Sequence, residues 1–172
     1  MLITVAPDAS LLDRRRVVLL GEGLPCLAHH HEAQGLPRRE AEALVGRVRT
    51  SAEHHAREAL ESLAAAVSTK ISGIALRRYA ALPPTVAERI ADYRAQTFAD
   101  SAMYRDALAD AAKARGWSVH WYDPKQVFLE AARALKLESV DARFRDLGKS
   151  IGPPWQKDHR LAMAAAIAAG QR

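Results

Sequence analysis

The sequence predicts an α/β fold: a mixed five-stranded sheet, made of an antiparallel three-strand meander followed by parallel strands, flanked by helices. Short β-prone runs separated by turn residues fill the first thirty positions. From residue 37 onward, apolar residues recur every three or four positions, which is typical of amphipathic helices. Two further β-prone runs, at residues 71–76 and 117–122, alternate with the helices. Because strands reached through helices are normally parallel, these two are expected to run parallel to one of the first three.

The meander is predicted from three short runs, at residues 2–5, 17–20 and 24–29. Pro-Asp-Ala-Ser follows the first run closely, and Gly-Glu-Gly separates the second run from the third. Both are turn-forming by composition. Pro25 lies inside the third run and cannot donate a hydrogen bond to a neighbouring strand, so this strand is expected at an edge of the sheet.

A long amphipathic helix is predicted over residues 37–67, with Arg, Glu and His on its outer side. A second helical stretch covers residues 86–115, and it could break near residues 97–100, where Thr97 with Asp100 could be a second N-terminal signal. Thr85 and Glu88 stand at its start with the spacing of a capping box, in which each side chain accepts a hydrogen bond from the other's backbone amide. Gly116 is expected to end this stretch, because glycine readily adopts the left-handed conformation that stops helices.

Three helices are predicted in the last third of the chain. Asp123, followed by proline, is a strong start signal for a helix over residues 127–135. A short helix is expected at residues 139–147. A Gly-Pro-Pro sequence then breaks the chain before an Ala-rich helix at residues 155–169, whose small side chains allow a close approach to a neighbour.

Composition restricts the class of protein. The 172 residues are 49% hydrophobic and 26% charged, which predicts one folded domain over residues 1–172. A single cysteine, Cys26, excludes a disulfide scaffold. No apolar run approaches the length of a membrane span and no signal peptide is visible, so a cytoplasmic location is expected. The 25 Lys and Arg against 20 Asp and Glu give a net charge of +5, which favours DNA or RNA as a partner.

Three features carry a resemblance to a known superfamily. The run 2–5 is followed at once by Pro-Asp, strands and helices alternate after Lys70, and Asp158 opens the Ala-rich last helix. This order is similar to that of the ribonuclease-H-like superfamily, which includes bacterial Holliday-junction resolvases and many transposases. The resemblance implies a central first strand beside the fourth, with the fifth next to that. It also implies that Asp8 and Asp158 match an Asp near the end of the first strand and the acids in the first turn of the last helix.

The predicted topology gathers charged residues at one edge of the sheet, where the carboxyl ends of parallel strands meet. Asp8, Asp123 and Asp158 are the candidate catalytic carboxylates, and Asp8 and Asp158 in particular are the candidate ligands of Mg²⁺ or Mn²⁺. The candidate nucleic-acid-binding residues are Arg77, Arg78, Lys125, Lys157 and Arg105. The sequence departs from the superfamily pattern where the fourth strand usually ends in an acid, because Arg77 and Arg78 stand there.

Each candidate carboxylate also has a local explanation. Asp123 can cap a helix, Asp158 can interact with the helix dipole, and Asp8 can stabilise a turn. The run His29-His30-His31, followed by Glu32, could bind Zn²⁺. Since alternate side chains of a strand face opposite ways, a structural or exposed role is favoured for these histidines.

A second pattern lies on the middle helix. Tyr93-Arg94 and Tyr104-Arg105 are eleven residues apart and therefore share nearly one helix face. Such a face could stack on and neutralise nucleic acid, although packing of the rings on the sheet is the favoured interpretation.

The leading interpretation is a nucleic-acid-binding protein of the resolvase or nuclease type with a reduced or lost metal site. If active, it would hydrolyse phosphodiesters with Mg²⁺ or Mn²⁺ and water as the nucleophile. The alternative is a non-catalytic interaction module that associates, for example as a homodimer, through the long helix 37–67.

Overall fold

Four strands and six α-helices are found within residues 1–170, the part of the chain that the computed structural model describes. The strands are β1 (Leu2–Val5), β2 (Leu11–Arg15), β3 (Gly73–Arg77) and β4 (Ser118–Tyr122). The helices are α1 (Arg38–Ala66), α2 (Val86–Ala91), α3 (Tyr93–Ala114), α4 (Val127–Ala134), α5 (Asp141–Ile151) and α6 (Lys157–Gly170). A π-helical turn, here called the π turn, spans Ala28–Glu32.

The expected five-stranded mixed sheet is wrong. In residues 1–170 the four strands form two separate two-stranded sheets, an antiparallel pair β1–β2 and a parallel pair β3–β4. The parallel arrangement of the two later strands was predicted, but the hydrogen bonds that would place β1 beside β3 are absent from this part of the chain. The ribonuclease-H-like sheet implied by the resemblance is therefore not formed.

The second strand lies at residues 11–15, and the strand predicted at residues 17–20 is not formed. Ala9 adopts a φ of 63°, and the amide of Ala6 donates to the carbonyl of Ser10 at 2.9 Å, so the chain reverses within a few residues. Leu11–Arg15 then pairs with Leu2–Val5, with Ile3 opposite Arg14. The sequence of β2 does not predict a strand, because its charged residues have a low β propensity. The strand forms because it pairs with β1.

The predicted third strand, residues 24–29, is replaced by the approach to the π turn. The backbone amides of His29 and His30 donate to the carboxylate of Asp100, and the amide of His31 donates to the carbonyl of Leu27. These donors are the groups that a strand would need for its ladder. A side chain from a distant helix therefore decides the local structure here.

The residues group into two compact units. The strand unit comprises residues 1–17, 67–78 and 117–170, and the helical unit comprises Val18–Ala66 and Tyr79–Gly116. Both sheets belong to the strand unit, together with α4, α5 and α6. The helical unit contains the π turn and helices α1, α2 and α3.

The core of the strand unit is built around α6. This helix packs against β1, β3 and α4, and its Ala-rich composition permits that close packing on three elements. Phe144 is fully buried in the same core and makes edge-to-face contact with the ring of Trp155, with 6.4 Å between centroids. Trp155 also donates from Nε1 to the carbonyl of Phe144 at 2.8 Å.

The helical unit is held together by the contact of α1 with α3. One face of α1 is buried at the three- and four-residue spacing that the sequence predicts, and its members are Ala41, Val45, Val48, Ala52, Ala56, Leu60 and Leu63. None of the helices within residues 1–170 combines the length and the apolar character needed to cross a membrane.

The helix signals of the sequence are confirmed in part. Thr85 and Glu88 form the predicted capping box at the start of α2. The helical stretch over residues 86–115 is interrupted at Asp92 and not near residues 97–100, which lie inside α3. The carboxylate of Asp92 accepts hydrogen bonds from the amides of Arg94 and Ala95 and so starts α3. Gly116, with a φ of 74°, follows the end of α3 as expected.

We expect Gly148→Ala to destabilise the protein. A methyl group at Gly148 in α5 would overlap the ring of Trp155, which the core holds in place. Overpacking of this kind lowers the free energy of unfolding by about 1–3 kcal/mol, measurable by urea denaturation. The matched control is Gly46→Ala in α1, where an added methyl group meets nothing within 4 Å. The control is expected to raise the free energy of unfolding by about 0.5–1 kcal/mol, since alanine favours helices over glycine.

Candidate functional site

The parallel pairing of β3 with β4 brings several charged residues to one edge of the strand unit. Arg77 stands opposite Tyr122 in the register. The amide of Arg78 donates to the carbonyl of Tyr122 at 2.9 Å, so the two strands stay together to their carboxyl ends. Arg77 and Arg78 therefore lie beside the segment that begins with Asp123 and contains Lys125. We call Arg77, Arg78 and Lys125, all exposed to solvent, the basic edge.

Asp123 has a local role at this edge. Its Oδ1 accepts a hydrogen bond from the amide of Lys125 at 2.8 Å, and its carbonyl accepts from the amides of Gln126 and Val127 at 3.0 Å. These bonds form the turn that leads into α4, as expected for an Asp-Pro helix start. The carboxylate therefore orients Lys125 at the end of β4.

The other two candidate carboxylates are held by their own segments. Asp8 lies exposed in the turn between β1 and β2, where its Oδ1 accepts from the amide of Ser10 at 2.9 Å. Hydrogen bonds from Ser10 lower the pKa of the Asp8 carboxyl below its ordinary value. Asp158 is exposed in the first turn of α6, directly after Lys157, the first residue of that helix.

A site for Mg²⁺ or Mn²⁺ needs oxygen ligands that come together. Within the described residues 1–170, no group of three His, Cys, Asp or Glu side chains is arranged to hold a metal ion. The catalytic role of Asp8, Asp123 and Asp158 stays a prediction, as does the role of Asp8 and Asp158 as ligands of Mg²⁺ or Mn²⁺.

Arg105, the remaining predicted nucleic-acid contact, belongs to the helical unit. It lies in α3 and donates from Nη1 to Oγ of Ser101 at 3.3 Å. Its predicted companion Tyr104 is half-buried and donates from its hydroxyl to the carbonyl of Cys26 at 3.1 Å. Burial, with Asp100 nearby, raises the pKa of Tyr104 to about 12, so the hydroxyl remains a donor near neutral pH.

The positive charge of the protein is concentrated in the strand unit. Over the described residues this unit has 14 Lys and Arg against 8 Asp and Glu, a net charge of +6. The helical unit has 10 Lys and Arg against 12 Asp and Glu, a net charge of −2. The excess of basic residues therefore lies in the strand unit, which contains the basic edge.

The histidine run forms a buried polar contact with α3. His29 is fully buried, and Asp100, also buried, accepts a hydrogen bond from its Nδ1 at 2.8 Å. The same carboxylate accepts from the amides of His29 and His30 at 3.0 Å and 3.1 Å. Since Nε2 of His29 is buried too, the ring presents no nitrogen to a substrate in solvent. The expected structural role is the one that this geometry supports for His29.

The contact of Asp100 with the histidine run was not predicted from the sequence, which marked Asp100 only as part of a second helix-start signal with Thr97. Asp100 stands inside a helical pattern, seventy-one residues after His29, and nothing in that spacing connects the two. The available signal was the presence of an acid at a position of α3 that faces the core among small apolar residues. A buried acid needs hydrogen-bond donors, and here the π turn supplies three.

The comparisons with known proteins found no similar protein. No protein-family model matches the chain, and no curated protein or solved structure is significantly similar to it.

We expect Asp100→Asn to destabilise the helical unit. The substitution removes the charge that three donors of the π turn share and replaces one acceptor oxygen by a donor. The expected loss in the free energy of unfolding is about 1–3 kcal/mol, measured by urea denaturation. Asp110→Asn is the control on the same helix, because Asp110 is exposed and pairs with Lys113 at 3.0 Å. Its expected effect is within about 0.5 kcal/mol, and equal losses in both variants would contradict the role of Asp100.

Proposed function

We propose that this protein binds the phosphate backbone of nucleic acid through the basic edge of its strand unit. The observation that supports the proposal is the parallel β3–β4 pair, since Arg77 and Arg78 stand at the carboxyl end of one strand and Lys125 follows the carboxyl end of the other. The net charge of +6 on the same unit supports it, because phosphates are drawn to a surface with excess positive charge.

The chemistry of the basic edge suits phosphates. Guanidinium groups donate up to two parallel hydrogen bonds to phosphate oxygens and remain charged at all relevant pH values. Arg78 also donates from Nη2 to the carbonyl of Trp121 at 3.4 Å, which holds its side chain along the end of β4. Contacts to the backbone carry no base information, so the binding is proposed to be largely independent of sequence.

Nuclease activity of the resolvase type remains a further hypothesis. It needs converging carboxylates, and the described residues contain no group of three that fits a metal ion. Cleavage can be measured apart from binding by incubating the protein with branched, duplex and single-stranded nucleic acids in the presence of Mg²⁺ or Mn²⁺. Metal-dependent cleavage that is lost in Asp158→Asn would support the nuclease hypothesis, whereas cleavage unchanged in that variant would remove Asp158 from it.

The alternative, association through the long helix, has less support. The apolar face of α1 is already buried within the helical unit. Ion pairs such as Arg38–Glu42 and His54–Glu58 occupy its exposed side, and exposed pairs of this kind contribute little to association. A homodimer formed through α1 would therefore need a polar interface.

The test compares two double variants in a salt titration of duplex DNA binding by fluorescence anisotropy. Arg77→Ala/Arg78→Ala is expected to weaken binding and to reduce the slope of log affinity against log salt by about 2, roughly one per phosphate contact. Arg38→Ala/Arg39→Ala removes the same charge from exposed positions of the helical unit. This control is expected to keep the wild-type slope. Equal loss in the two variants, or binding that does not respond to salt, would overturn the proposal.

A further inference from the structure

Three aromatic rings lie in contact on the surface of the helical unit. The ring of Tyr93 lies 6.5 Å from that of His30, which in turn lies 4.5 Å from the ring of His31. Tyr93 is 75% exposed, the highest exposure among the large hydrophobic side chains of the described residues. We call Tyr93, His30 and His31 the ring cluster. It joins the histidine run to the first residue of α3.

The backbones of both segments that carry the ring cluster are held by hydrogen bonds to aspartate side chains. Asp100 binds the amides of His29 and His30, which holds the backbone of the π turn. Asp92 accepts from the amides of Arg94 and Ala95, which fixes the first turn of α3 immediately after Tyr93. Rings held on an ordered backbone lose little conformational freedom when a ligand stacks on them, so more of the stacking energy is available for binding.

The ligand chemistry follows from the rings and their neighbour. The exposed rings of Tyr93 and His31, with the half-buried ring of His30 in contact with both, offer π surface to a planar ring that lies flat on the protein. Arg94, exposed and next to Tyr93, adds a positive charge beside that surface, whereas the exposed Glu32 follows His31 and the carboxylate of Asp92 is bound to the first amides of α3. Nucleobases linked by phosphates combine a planar ring with a negative charge, and base stacking on aromatic side chains tolerates any sequence.

We propose that the ring cluster is a stacking site for the bases of single-stranded nucleic acid. The proposal rests on the proposed function, because it assumes that nucleic acid is the ligand. It extends that function from the phosphate backbone to the bases and favours single strands, since the bases of a duplex are already stacked on one another.

The experiment compares a twelve-nucleotide oligo(dT) with an abasic oligonucleotide of equal length and charge, by fluorescence anisotropy in one buffer. The wild-type protein is expected to bind oligo(dT) at least about fivefold more tightly, the lower end of the effect of one stacked base. Tyr93→Ala is expected to bring the ratio close to one, and Tyr93→Phe, which keeps the ring, to preserve it. Because Tyr93 is largely exposed, the melting temperature of both variants should match that of the wild type.

The matched control is Phe98→Ala. Phe98 is 50% exposed on the same helix but is not in contact with the ring cluster among the described ring pairs, so its loss should leave the ratio unchanged. A wild-type ratio near one, or an unchanged ratio in Tyr93→Ala, would overturn the stacking site. The proposed function would survive that result if Arg77→Ala/Arg78→Ala still weakened the binding of both oligonucleotides. Failure of the wild type to bind either oligonucleotide would overturn both proposals.

Discussion

The parallel pairing of β3 with β4 is the constraint on which the proposed function depends. Residues forty-five positions apart, Arg77 and Tyr122, become neighbours through that register, and the amide of Arg78 extends the pairing by one bond. A parallel pair has its carboxyl ends on the same side, so the residues that follow each strand must meet. The helix α6 packs against β3 and β1, so the strand that ends in Arg77 belongs to the packed core of the strand unit.

A second constraint acts in the helical unit, where one buried carboxylate organises the histidine run. Asp100 accepts from His29 Nδ1 and from two backbone amides, so its burial is matched by three donors. The π turn also determines a contact at the surface, because the turn that places His29 in the core places His30 beside Tyr93. The buried contact of His29 with Asp100 and the ring cluster thus both depend on the conformation of the π turn.

Local chemistry explains which elements were predictable. The capping box of Thr85 and Glu88 and the stop at Gly116 depend on groups within a few residues of each other, and both are confirmed. The strand β2 and the π turn were missed for the opposite reason. The first is a charged run that becomes a strand because Leu2–Val5 pairs with it, and the second is fixed by an acid seventy-one residues away. The five-stranded sheet was wrong because the strands expected at residues 17–20 and 24–29 do not form and because β1 does not pair with β3.

The sequence by itself determined the amphipathic helices, the parallel relation of the two later strands and the excess of basic residues, because periodicity, connection length and charge are properties of the chain. The tertiary structure decided that β1 and β3 stay in separate sheets and that the positive charge lies in one unit. Each of these depends on contacts between distant residues. Such contacts are chosen by the packing of whole elements, which no short stretch of sequence specifies.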